Sequence, residues 1–155
     1  MRAKQNKNMC EICFMAVSEN EAFARMVAAA FVMPLNPTLE ELSDVKTAVS
    51  EAVTNAILHG YNQNPDGIVK MRCEREDRRL VFVISDEGVG IENIKKAMEP
   101  MYTSKPELER SGMGFSFMEA FMDSLQVESH PGKGCTVTME KYICPPEDED
   151  TPDEV

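Results

Sequence analysis

Glu51 and Asn55, in the stretch EAVTNAILHGY, are four residues apart. On a helix that spacing puts both side chains on one side, one turn apart. A carboxylate there can accept a proton, and an amide oxygen can hold Mg²⁺ without adding charge. An ordinary polar flank shows the same spacing. DEGVGI, from Asp86 to Ile91, follows an apolar run. Asp86 then falls at a strand's end, and Gly88 and Gly90 let a flat ring approach the backbone. A strand-to-helix turn with an acidic N-cap reads alike. In RSGMGFSFMEAFMD, Gly112 and Gly114 stand at the mouth of a helix. Backbone N–H groups at such a terminus bind anions, and glycine lets a phosphate come close; glycine also simply eases a loop into a helix. In GKGCTV, Thr136 lies two residues past Gly134, where its hydroxyl could face Asp86 from a neighbouring strand. Alone, this last stretch is a hairpin.

The segments around these groups must hold them in place. Met9 to Val17 reads as a first strand. Ser18, with Glu21 three residues later, has the capping-box pattern ahead of the helix ENEAFARMVAAAFVM, which stops before Pro34. Thr38 and Glu41 repeat that pattern. The second helix then carries Leu39, Leu42, Val45, Val49, Ala52, Val53 and Ala56 at spacings of three and four, one stripe facing a core. Glu51 and Asn55 fall on the rim of the stripe, and Gly60 is the expected residue just past the helix end. Val69, Met71 and Cys73 alternate with Lys70, Arg72 and Glu74, a half-exposed strand. LVFVIS is nearly all apolar, as a central strand is. GIENIKKAM forms a short helix, and SLQVES, HPGKG and CTVTMEKYI form a closing hairpin. This order predicts a two-layer α/β sandwich: five strands, mostly antiparallel, with helices on one face.

The four boxes come in a telling order: E-x-x-x-N on a helix, D-x-G-x-G after a strand, G-x-G opening a later helix, G-x-T in a final strand. That order resembles the Bergerat fold of the GHKL superfamily of ATPases and kinases. SENEAFAR, SEAVTNAILHGY, DEGVGI and KPELERSGMGFSFMEAFMD further resemble its sporulation anti-sigma branch, protein serine kinases that bind a sigma factor. Stress-response anti-sigma kinases have similar boxes. The resemblance implies a site for ATP or ADP with Mg²⁺. Asp86 would accept a hydrogen bond from the adenine amine, with Thr136 supporting the same edge. Asn55 would ligate Mg²⁺, and Glu51 would be the general base for an attacking serine hydroxyl. Arg110, Ser111, Gly112, Met113 and Gly114 would cradle the phosphates, Arg110 also neutralising charge on the γ-phosphoryl group. Glu21 and Arg25, an i,i+4 pair, would lie on the surface that contacts the sigma factor and an anti-anti-sigma protein, the serine phosphoacceptor. Branch members act as homodimers. A sensor histidine kinase would need a dimerisation helix pair with a phosphoacceptor histidine, for which the chain has no room; a sigma inhibitor that binds nucleotide without transfer stays open.

The resemblance covers residues 9–143, between an N-terminal extension, 1–8, and an acidic tail, 144–155, read as disordered. Six of the 27 acids sit in that tail, and the remainder is still acidic within a net charge of −11. Such a chain has no electrostatic reason to grip nucleic acid. No apolar run approaches the roughly 18 residues of a membrane span, and no apolar segment follows the basic N-terminus as in a signal peptide. The expectation is a cytoplasmic protein. Five cysteines at irregular spacing are not a disulfide framework. Cys10 and Cys13 read as small strand residues, His59 as a packing or capping residue, and His130 as a solvated turn residue.

Overall fold

Alternation writes the sheet. The computed structural model describes residues 6–62, 64–99 and 114–146. Its strands are β1 (Lys7–Met15), β2 (Ile68–Glu76), β3 (Arg79–Asp86), β4 (Ser124–His130) and β5 (Gly134–Tyr142). They form one sheet in the order β1-β2-β3-β5-β4, every neighbouring pair antiparallel. Val69, Met71 and Cys73 of β2, Leu80, Phe82 and Ile84 of β3, and Val137 and Met139 of β5 are all buried on the helical side. The other face carries charge: Lys70 lies 3.6 Å from Glu11, and Arg72 pairs with Glu74. β3, the apolar run, sits at the centre, as expected.

Helices α1 (Glu19–Val32), α2 (Leu39–Asn55) and α4 (Gly114–Phe121) cover one face, with α2 in the middle; α3 (Ile94–Ala97) is a short helix beside the end of β3. α1 buries Ala24, Ala28 and Val32, one residue per turn. α2 answers with Val45, Ala48, Val49, Ala52 and Val53. Small side chains on both stripes let the two axes approach closely. Thr38 caps α2 as its sequence pattern predicts: Glu41 N donates to Thr38 Oγ1 at 3.1 Å, and Thr38 N donates to Glu41 Oε1 at 3.0 Å. Glu41 Oε2 also accepts from Cys144 N at 3.0 Å, so the first residue of the expected tail is fastened to the domain. Lys141 Nζ donates to Phe121 O at 2.8 Å and lies 3.6 Å from Asp44, which ties the end of α4 to β5 and α2.

Three local expectations fail. Ser18 has helical φ and ψ and makes no side-chain cap; the first-turn amides of Asn20 and Glu21 donate instead to Val17 O at 3.0 Å and Ser18 O at 3.2 Å, and Asn20 Nδ2 donates to Met15 O at 2.9 Å. Gly60 does not adopt a left-handed φ. Instead α2 runs from Asn55 into a π turn, Ala56–Gly60, closed by Tyr61 N donating to Ala56 O at 3.0 Å. β1 begins at Lys7, inside the expected extension, and Asp77 N donates to Asn6 O at 2.9 Å.

Candidate functional site

The π turn ends α2 against the C-terminal end of β3. Single π turns inside α-helices occur often at functional sites. Here the turn brings the backbone of Gly60 against Asp86: a Cβ on residue 60 would stand 2.8 Å from the carboxyl carbon. This contact explains the glycine that the sequence pattern assigned to helix termination. Beside it opens a cavity of about 560 Å³, walled by the end of α2, the end of β3, the loop after β3, α3, the start of α4 and β5. That volume suits a small organic ligand.

One end of the cavity is a flat apolar slot with a single strong acceptor. Ala52, Ala56, Ile84 and Val137 supply the apolar walls, and the buried Asp86 stands among them. Burial pushes the Asp86 carboxyl above the usual carboxylate range, while the amides of Gly88, at 2.9 Å, and of Cys135 donate to it and oppose that rise. An acceptor of this kind, recessed in an apolar slot, matches a heteroaromatic ring carrying an exocyclic amine.

Thr136 is not part of this wall. β5 pairs with β3 so that Asp86 faces Cys135 and Thr136 faces Ser85. Side chains alternate along a strand, so Cys135 and Val137 line the cavity and Thr136 lies on the opposite face of the sheet. The alternation of Thr136 and Thr138 with Val137 and Met139 already carried that information. Burial, then the neighbouring Asp86 charge, pushes the Cys135 thiol up to about 11, partly offset by the Ser129 hydroxyl. The G-x-T pattern names only Gly134 and Thr136 and gives the residue between them, Cys135, no role.

Gly88 and Gly90 stand where expected, after Asp86, but for another reason. A Cβ at Gly88 would lie 1.8 Å from Gly60 O, so the loop packs against the protein's own helix end. Val89 N completes that contact by donating to Gly60 O at 2.8 Å. Gly90 lines the cavity, whereas Gly88 lies behind it. Tyr61, a residue the pattern gave no role, braces the same loop: its hydroxyl accepts from Glu87 N and donates to Ile68 O, each at 2.7 Å.

The other end is polar. Asn55 lines the cavity, with Glu51 one turn back on α2. Both meet the start of α4: a Cβ on Gly114 would stand 3.1 Å from Asn55 Nδ2 and 3.3 Å from Glu51 Oε2. Helix α4 thus opens directly against the carboxylate–amide pair. Lys96 of α3 and His59 of the π turn also line the cavity. Among the described residues no three His, Cys, Asp or Glu gather into a metal cage. Arg110, Ser111, Gly112 and Met113 lie outside the described residues. Glu21 and Arg25 are remote from the cavity, paired on α1 at 3.1 Å. Phe23 and Met26 of the same helix are more than half exposed.

Comparison with known proteins agrees with this architecture. The histidine kinase-like ATPase domain family matches residues 14–141. The anti-sigma F factor of Clostridium kluyveri is 60% identical over 136 residues, 88% of this chain and 95% of that protein. The anti-sigma F factor of Clostridium acetobutylicum is 58% identical over 142 residues, 92% and 99% of the two chains. Among solved structures, a Mycobacterium tuberculosis protein with RsbU and RsbW domains superposes with a TM-score of 0.65 at 18% identity; the match spans 90% of this chain and 33% of that one, and concerns the fold. No helix among the described residues is long and apolar enough to cross a membrane. With its five-stranded antiparallel sheet and helical layer, the chain belongs to the histidine kinase-like ATPase family and, within it, to the anti-sigma F factors.

Proposed function

We propose that the chain is an anti-sigma factor and ATP-dependent serine kinase: it holds a sporulation sigma factor of the F type and phosphorylates that factor's anti-anti-sigma antagonist on serine. The observation that carries the reading is the meeting of Glu51, Asn55 and Gly114 at one end of a cavity whose other end is Asp86. Adenine fits the apolar slot, its amine donating to Asp86. The triphosphate then runs toward the start of α4, whose first amides point at incoming anions. Ser111, Gly112, Met113 and Arg110 precede that helix in the chain and would complete the phosphate cradle.

The donors suit Mg²⁺. That ion takes few protein ligands and keeps phosphate oxygens and waters, which agrees with a lone amide oxygen, Asn55 Oδ1, and with no protein cage among the described residues. Bound there, it would offset the negative charge of the phosphates. Glu51, one turn back, stands where a carboxylate could take the proton of a serine hydroxyl brought in by the partner. Its proximity to Gly114 supports that role, since the start of α4 is where the phosphates are expected.

The α1 surface suits the protein partners. The Glu21–Arg25 pair sits on α1, and the same helix exposes Phe23 and Met26 further round its circumference, so charged and apolar groups are both available to a partner. Association as a homodimer and action in the cytoplasm belong to the same proposal.

The test is transfer of labelled phosphate from ATP to purified anti-anti-sigma protein, with sigma binding measured in parallel. Phosphoserine on the partner is the expected product. Phosphohistidine would instead make the chain a histidine-kinase catalytic unit, and sigma binding without transfer would reduce it to a nucleotide-dependent inhibitor. Transfer confined to a stress-response antagonist would assign it to that branch.

A further inference from the structure

The cavity's base-side wall is a loop whose position no regular element fixes. Residues Val89, Gly90 and Ile91 line the cavity but lie between β3 and α3, outside helix and strand. On one side Val89 N holds to Gly60 O. On the other the loop lies against the β4–β5 turn: Gly132 N donates to Val89 O at 2.7 Å, and a Cβ on Gly90 would lie 2.2 Å from His130 O.

One side chain joins the two segments. Ser129, near the end of β4 and half-buried, accepts from Ile91 N at 2.7 Å and donates to Gly134 O at 2.9 Å. A hydroxyl has one proton to give and lone pairs to receive, so it can serve both partners at once. Alanine can serve neither. Gly134 immediately precedes Cys135, which pairs with Asp86, so the same hydroxyl bears on both walls of the slot.

We propose that Ser129 is a positioning residue for nucleotide binding: it holds the Val89–Ile91 loop and the Gly134–Cys135 segment at the spacing that fits the base. The proposal rests on the nucleotide reading given above. It concerns the base end only, so ATP and ADP depend on Ser129 equally. The residue touches no phosphate and no transferring atom, so its loss removes binding that ground and transition states share, raising KM and leaving kcat unchanged.

The experiment compares Ser129→Ala, Ser129→Cys and Ser129→Thr with the parent chain. Titration calorimetry with Mg·ATP and Mg·ADP should show both weakened about fivefold in Ser129→Ala, roughly the effect of one lost internal hydrogen bond. Ser129→Thr, which keeps the hydroxyl, should restore parent affinity. In nucleotide-free protein, hydrogen–deuterium exchange at the Ile91 amide should be about tenfold faster in Ser129→Ala, since that amide loses its acceptor. Ser129→Cys keeps the shape and has only a weak donor, so it should also bind both nucleotides more weakly than the parent chain, and it replaces Ser129→Ala in the comparison if that variant does not fold. Unchanged Ile91 exchange, unequal loss of ATP and ADP, or failure of threonine to rescue would each overturn the proposal. If the parent chain itself takes up no nucleotide, the nucleotide reading falls; the positioning role for binding falls with it, and Ile91 exchange then reports only whether the hydroxyl holds the loop.

Discussion

Asp86 and Cys135 stand directly opposite each other on β3 and β5, and both face the cavity. The pairing sets a carboxylate and a thiol side by side in a partly dry slot. Burial makes both groups costly to ionise, and the Asp86 charge adds to that cost for the Cys135 thiol, while the Cys135 amide donates to Asp86 and eases its ionisation.

Asp86 should therefore trade stability for recognition. Its pKa is raised in the folded chain, so the fold holds the proton more tightly than the unfolded chain does. The associated stability is present at low pH and is lost as pH rises through the raised value. Asp86→Asn, neutral at every pH, should melt at or above the parent temperature at pH 8, and its margin should narrow as pH falls. The same variant offers adenine only a neutral acceptor. Calorimetry should show nucleotide affinity down by about tenfold or more, the worth of a hydrogen bond to a charged group. A lower melting temperature at pH 8 with intact affinity would contradict both halves.

Glu51→Gln keeps the shape of the side chain and removes its basicity. Mg·ATP binding should stay within a few-fold of the parent chain, while phosphoryl transfer to the antagonist falls by about 10²–10⁴, the usual worth of a general base. Single-turnover kinetics separate the two, and an unchanged transfer rate would remove Glu51 from the role.

Arg25→Glu should act at a distance from the cavity. It replaces the 3.1 Å pair with Glu21 by two like charges on one turn. A half-exposed helix pair contributes well under about 1 kcal/mol, so the melting temperature should hardly move. Binding to the sigma factor and to its antagonist should weaken together, with Mg·ATP affinity retained. Loss of neither partner would leave the pair a helix-surface contact and nothing more.

The five thiols should separate by reactivity. Cys13 and Cys144 are exposed and should label first with a maleimide. Cys73 is fully buried, and that burial, with Cys10 opposite it on β1, pushes its thiol far up; it should label only on unfolding. Cys135, at about 11, carries little thiolate at neutral pH and should label slowly. Saturating Mg·ATP should slow it further, because the nucleotide would cover it. Mass spectrometry of each cysteine over time checks the order.

Much of the fold was legible because burial has a period. Val69, Met71 and Cys73 announced β2, and the three-residue spacing of Thr38 and Glu41 announced the start of α2. The spacing of Glu51 and Asn55 was enough to place them on one helix side, and their nearness to Gly114 follows from α4 packing on α2. Ser18 misled because a capping pattern is only a local offer, and backbone carbonyls of Val17 and Ser18 accept from the first-turn amides instead. Thr136 misled because a motif was counted along the chain while the pleat decides which side chain reaches the cavity. Ser129 and Tyr61 were invisible for a different reason: their partners Ile91 and Glu87 lie 38 and 26 residues away, and no spacing rule spans that distance.

The π turn at Ala56–Gly60 has a consequence for how the chain tolerates length changes. It accommodates a residue in excess of what a regular helix would need before Tyr61. Deleting one position there would let an ordinary turn close and leave the Val45–Val53 stripe in its packing. The chain from Tyr61 on would stay in phase, but inside the turn the remaining residues would be reassigned by roughly 100° each, so the buried Ala56 and Ile57 and the cavity-lining His59 and Gly60 could not all keep their places. A single-codon gap at this point would spare the Val45–Val53 stripe and disturb the pocket.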